Sequence, residues 1–292
     1  MNSQGMTKYA AMQREFYDRP DVSPEALVGN YDYHENFPYE TLLLHVNGDI
    51  RKPLFASTVD KRAFDIACGE GRMIRRMNRM FGAVDGADIS SKMVSAAQQR
   101  CPQSNIYLTD GRGCGKAQTN YYDFAYCTIS LQHICVHETR TNILRDVVRI
   151  LKPDGSITLQ MLFSKHFPYV PAGQMQGTLA NQEASLQLYT TSGHHAQWLE
   201  NRYDAASTNS GCDVVFGEND IALVKADMEE LFEHCEMWFF DISIGRGGNP
   251  RILPLVHPNA HLGDAYWSYW GTHFAFIHCA GPKKARLRPP AA

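Results

Sequence analysis

Phe64-Asp65-Ile66-Ala67-Cys68-Gly69-Glu70-Gly71 decides how the chain is read. An apolar, β-prone lead-in carries Asp65 and runs into a tight turn at Gly69 and Gly71. A helix-like segment follows from Arg72 to Met80. A glycine turn between a strand and a helix lets the backbone come close to a ligand. Further on, Val84-Asp85-Gly86-Ala87-Asp88-Ile89-Ser90 puts Asp88 in a second strand-to-helix slot. An acidic side chain there can accept both hydroxyls of a ribose. Together the two slots describe a site for a nucleoside-containing molecule.

The dinucleotide fingerprint G-x-G-x-x-G/A is the rival reading, since its third small residue lets the helix pack on the sheet. Gly69 and Gly71 fit, but Ile74 takes the third position. Asp65, four residues before Gly69, would repel a pyrophosphate and attract a cationic amino group. No Gly-Lys-Ser/Thr follows, so a phosphate-binding P-loop is excluded.

Further stretches follow in order: Asp110-Gly111; Tyr122-Asp123-Phe124-Ala125-Tyr126-Cys127; Ser130-Leu131-Gln132-His133-Ile134; and Arg149-Ile150-Leu151-Lys152-Pro153-Asp154-Gly155. With Asp65–Gly71 and Asp88 they give residues 60–162 a resemblance to the core of the class I S-adenosylmethionine-dependent methyltransferases. Ala67 stands where the family motif has its first glycine, a departure that backbone approach should tolerate.

The resemblance implies an α/β fold: a seven-stranded, mostly parallel Rossmann-like sheet with helices on both faces and an antiparallel last strand. It implies S-adenosyl-L-methionine as cofactor. Asp65, Ala67, Gly69, Gly71, Arg72, Asp88, Ile89, Met93, Asp110, Gly111, Cys127 and Thr128 are its candidate contacts, with Asp110 expected beside the adenine. Residues 1–58 are expected as an N-terminal lid and helical segment, and 59–163 as the cofactor-binding core. An inserted substrate cap would span 164–218, the rest of the core 219–281, and a disordered basic tail 282–292.

The residues themselves set expectations within those segments. Residues 38–58 read as an amphipathic helix, broken at Asn47-Gly48. Met73, Met77 and Met80 recur at helical spacing and should face the core, leaving Arg72, Arg75, Arg76 and Arg79 mostly on a solvated face. Residues 219–235 read as a helix before a strand at Met237–Ile244. Lys152-Pro153-Asp154-Gly155 should stop the preceding helix, with a strand starting at Ser156.

Methyl transfer from a sulfonium is an in-line displacement, so alignment and exclusion of water matter most. A histidine titrating near neutrality suits removal of a proton from an oxygen or nitrogen acceptor. His133, His166 and His194 are the candidates. Tyr31, Tyr33, His195, Trp198 and Trp267 are candidates for holding the acceptor, and the aromatic stretches 164–218 and 245–271 point to a closed pocket for a small molecule. No metal is expected: His133 and His137 lack further ligands at convincing spacing.

Composition bounds the rest. The 292 residues carry a formal charge of −3, so no global basic charge draws the chain to nucleic acid or anionic lipid. No apolar run approaches the roughly 18 residues of a membrane span. The eight cysteines are scattered without a Cys-x-x-Cys, which reads as reduced thiols in a cytoplasmic protein. An RNA or protein methyltransferase and a non-catalytic cofactor-binding module are the alternative functions.

Overall fold

The computed structural model describes residues 10–11, 13–25, 37–134, 137–164, 216–217, 221–240, 242–243, 251–252 and 272–284. Seven strands form its central sheet: β1 (Arg62–Ile66), β2 (Ala83–Asp88), β3 (Ile106–Leu108), β4 (Tyr122–Cys127), β5 (Leu151–Ser164), β6 (Phe232–Phe240) and β7 (Thr272–Pro282). Their order is β3-β2-β1-β4-β5-β7-β6. The first five run parallel, and β7 is antiparallel to both neighbours. The pair Phe216–Gly217 adds a short parallel rung to the end of β5. This is the expected sheet, last strand included.

Five helices cover the two faces among the described residues. α1 (Tyr39–Leu44), α2 (Arg72–Met77) and α3 (Ser91–Arg100) pack on one face, where Leu43, Ile74, Met77 and Ala97 join Phe124, Trp238 and Phe276. α4 (His137–Ile150) and α5 (Ile221–Leu231) cover the other, where Val147, Val148 and Met228 meet Ala125, Ile157 and Ile277. Every residue of β4 is buried, which is what a central parallel strand covered on both sides requires. Strand order reverses between β1 and β4, so a crevice opens beyond their carboxyl ends.

Several expectations need correction. α1 ends at Leu44, and a short 3-10 turn, Val46–Gly48, follows it. The chain then doubles back, with Val46 N donating to Lys52 O at 2.9 Å and Leu54 N to Leu44 O at 2.8 Å. Ile50 is left exposed at the tip. Arg72 and Arg76 are buried rather than solvated. Arg76 is held by the Glu40 carboxylate and by Phe37 O at 2.7 Å. Met73 and Met77 do face the core, and Met80 packs at its margin.

The strand after α4 begins at Leu151, not Ser156. Tyr122 pairs with Leu151 and Phe124 with Ser156, so Lys152–Gly155 form a bulge inside β5. Lys152 Nζ anchors it on Asp123 at 2.8 Å. α5 stops at Leu231 and β6 starts at Phe232, which pairs with Pro282. Lys283 and Lys284 are docked rather than loose: Lys284 Nζ reaches the carbonyls of Val148 and Leu151 at the end of α4. A cation on unsatisfied helix carbonyls is a favourable C-terminal cap.

Candidate functional site

A cavity of about 270 Å³ opens at the carboxyl ends of β1, β2 and β4. Its position follows from the topology, and the turns that make its wall follow from particular residues. Gly71 is the N-cap of α2 with φ 83°, a conformation that favours glycine. A Cβ at Gly71 would also lie 3.1 Å from Ala97 Cβ on α3. Ile74, which breaks the dinucleotide fingerprint, finds its space on the sheet instead. Gly86 of β2 has no side chain, and a Cβ there would come within 2.7 Å of Ile74 Cδ1. The small residue at this contact has moved from the helix to the strand.

Asp88 ends β2 and is buried in the cavity wall. Its Oδ2 accepts from Gly69 N at 2.8 Å and its Oδ1 from Ser90 N at 2.9 Å. The carboxylate therefore ties the glycine turn to the start of α3. Burial pushes its pKa up, against the pull of these amides. Ser90 caps α3, accepting from Met93 N at 3.1 Å.

Asp65 lies deeper, at the end of β1. Burial holds its carboxyl well above the usual range, while the Arg72 guanidinium and the nearby Tyr126 hydroxyl draw it down and Asp88 pushes it up. Two buried carboxyls on one cavity favour a ligand that brings positive charge and hydroxyl donors.

The N-terminal residues form a roof. Ala10, Gln13 and Tyr17 line the cavity. Arg14 bridges two strand ends, bonding Ile89 O at 3.1 Å and Thr109 O at 2.9 Å. Asp18 caps α3 from across the chain, accepting from Ser90 Oγ at 2.6 Å and Lys92 N at 3.0 Å. Burial alone would raise the pKa of Asp18, but these bonds outweigh it and hold the carboxyl below its usual value.

Of the cofactor contacts expected from the sequence, Asp65, Ala67, Gly69, Arg72, Asp88, Ile89, Met93, Gly111 and Thr128 are brought together in the wall. Gly71, Asp110 and Cys127 are not. Gly71 sits behind the turn, against α3. Asp110 is exposed and accepts from Arg112 N at 3.0 Å; the wall at this point is made by Thr109 and Gly111. Cys127 faces the core, where burial pushes its thiol up to about 12.

His133 ends the 3-10 turn Ser130–His133 that follows β4, and only its main chain is described. Tyr31, Tyr33, His166, His194, His195, Trp198 and Trp267 lie outside the described residues, as does nearly all of 164–218 and 245–271. No cluster of potential metal ligands occurs among the described residues, and no helix there is long and apolar enough to cross a membrane. The six cysteines among the described residues are free thiols.

Gln13, Arg14, Asp18, Ile129 and Ser130 were not expected at the site. Arg14 and Asp18 meet partners more than 70 residues away, so no local pattern marks them. Ser130 and Ile129 carried one usable signal: they follow a buried strand that ends at the crevice.

Residues 63–155 match the family model described as a methyltransferase domain. The putative methyltransferase YqeM of Bacillus subtilis (strain 168) is 29% identical over 154 residues, covering 51% of this chain and 61% of that protein. The chain thus aligns with less than two thirds of that relative's length. Among solved structures, phosphoethanolamine N-methyltransferase 2 of Haemonchus contortus, in complex with phosphomonomethylethanolamine and S-adenosylhomocysteine, superposes with a TM-score of 0.55 at 15% identity. The match covers 93% of this chain and 60% of that one. A putative methyltransferase of Haloferax volcanii, solved with the Trm112 methyltransferase activator, gives 0.51 at 14% identity over 95% and 97%. These structures share the fold. With the strand order and the crevice at β1 and β4, the match over 63–155 makes this part of the chain similar to a methyltransferase domain on a Rossmann-like sheet.

Proposed function

We propose that the chain transfers the methyl group of S-adenosylmethionine to an oxygen or nitrogen of a small molecule in a closed pocket. One observation carries the reading: Asp88 and Asp65, from adjacent strand ends, face a single cavity roofed by Ala10, Gln13 and Tyr17. Each Asp88 oxygen keeps a lone pair beyond the amide it already accepts from, so the side chain can take both ribose hydroxyls. Asp65 offers its carboxyl to an ammonium group. Ile66, Ile89 and Met93 supply apolar wall for the adenine. S-adenosylmethionine supplies an electrophilic methyl group whose sulfonium charge vanishes on transfer. The roof keeps water out, which favours loss of charge and protects the donor. His133, His166 and His194 remain the candidates for taking the acceptor's proton. Tyr31, Tyr33, His195, Trp198 and Trp267 remain those for holding the acceptor.

The Haemonchus neighbour, named for a phosphorylated amine acceptor, supports small amines and their phosphates as the first acceptors to try. A macromolecular acceptor is the second reading, favoured by the Haloferax neighbour, which matches along nearly its full length and was solved with a protein activator. Incubation with methyl-labelled S-adenosylmethionine and panels of small amines, phosphoamines and alcohols separates the two. Label in a small-molecule product supports the first reading. Label only in added RNA or protein contradicts it.

A further inference from the structure

Ala67 and Ile129, two of the three non-glycine residues with positive φ among the described residues, lie in the wall of this one cavity. Ala67 has φ 54° and Ile129 φ 67°. Neither side chain adopts this region freely, and for β-branched Ile129 it is an outlier. They follow β1 and β4, which are neighbours in the sheet, so the strain is stored side by side at two strand ends.

A single side chain is bonded to both turns. Ser130 Oγ lies 3.1 Å from Ala67 O and 3.2 Å from Thr128 O, sharing its one proton between two carbonyls. The Ser130 amide donates to Thr128 O at 2.7 Å, closing a three-residue γ-turn centred on Ile129. From β5, buried Gln160 accepts from Ile129 N at 3.1 Å through its Oε1. Strained backbone persists only where its surroundings over-determine it, and these bonds are the surroundings. At residue 67 a glycine would need no such help. This chain has alanine there.

We propose that Ser130 is a positioning residue, whose hydroxyl clasps the β1 and β4 turns and holds Ala67 in the left-handed conformation that shapes the methyl-donor pocket. The inference deepens the methyl-donor reading and rests on it. In-line transfer tolerates little misplacement of the donor, so a clasp between the two turns that flank it acts on function as well as on folding. A hydroxyl that merely completed its own turn through Thr128 O would act without regard to residue 67.

The test is a double-variant cycle read by calorimetric titration with S-adenosylhomocysteine, with melting temperatures recorded alongside. Ser130→Ala is expected to weaken binding by about five- to tenfold, the loss of one hydrogen bond that holds a strained turn. Ala67→Gly supplies the second background, and its own affinity, whatever its value, is the reference for the double variant. Ser130→Ala made in the Ala67→Gly background should lose less than about twofold, because contacting residues couple. Equal losses in both backgrounds, or no loss in either, would overturn the clasp. If Ser130→Ala does not fold, recovery of folding in the double variant upholds the clasp, and failure to recover overturns it. If the natural chain binds no S-adenosylhomocysteine, the methyl-donor reading fails separately. Melting temperatures then decide the clasp: a drop that Ala67→Gly removes upholds it, and an additive drop overturns it.

Discussion

Asp88 works twice with one carboxylate. It ties Gly69 and Ser90 together, and its remaining lone pairs face the cavity. Under the proposed methyl-donor reading, Asp88→Ala removes a ribose contact as well as loosening the turn around it. Hydrogen bonds to charged groups are worth about 1.5–3 kcal/mol each, so S-adenosylhomocysteine affinity should fall at least about tenfold. Unchanged affinity in a folded variant would remove Asp88 from the site. Asp65 and Asp88 were legible in the sequence because each lies near the end of a strand just before a turn, a local relation. Asp110 obeys the same local rule and yet points to solvent, because Thr109 turns inward instead. Arg76 misled for a different reason. Its burial depends on Glu40 and Phe37, far back in the chain, and helical spacing carries no information about such partners.

At the scale of elements, the roof and β7 make separable predictions. The roof is pinned by Arg14 to the ends of β2 and β3 and by Asp18 to the start of α3. Arg14→Ala should speed S-adenosylhomocysteine dissociation by about tenfold, two ordinary hydrogen bonds being lost, with little change in melting temperature; stopped-flow displacement measures this. An unchanged dissociation rate would mean that Ala10, Gln13 and Tyr17 cover the pocket without gating it.

On β7, His278 packs against Thr158, whose hydroxyl lies 3.0 Å from Leu43 O and 3.1 Å from His278 Nδ1. The hydroxyl has one proton, given to Leu43, so it accepts from Nδ1–H and the ring joins the docking of α1 to the sheet. Burial pulls the pKa of His278 down to about 4. The folded chain then binds fewer protons than the unfolded one between about 4 and the ordinary histidine value near 6.5. Stability from this group is full above about 6.5 and is lost as pH falls towards 4, by at most about 1.4 kcal/mol per pH unit. Urea unfolding at pH 7.5 and 5 should show that loss, and His278→Asn should make it smaller. An equal loss in the variant would clear His278 of the effect.

For the whole molecule, the mostly parallel sheet with its antiparallel last strand was foreseen through resemblance, and the place of the crevice through the glycine turn. Parallel strands alternating with helices leave few ways to wind a sheet, and the Phe64–Gly71 stretch marks where its order reverses. Element ends were less legible. The bulge at Lys152–Gly155 and the early stop of α5 at Leu231 are set by partners on β4 and β7, which local pattern does not name. The pins of the roof were not legible, because Arg14 and Asp18 carry no motif.

All of this converges on one cavity and one kind of ligand. Calorimetric titration of the chain with S-adenosylhomocysteine, with NAD as control, asks the question directly. The predicted result is saturable, one-to-one binding of S-adenosylhomocysteine and no heat from NAD. Binding of NAD alone would contradict the roles given to Asp65 and Ile74 and return the cavity to the dinucleotide folds. Binding of neither would contradict the assignment of this cavity to the methyl donor.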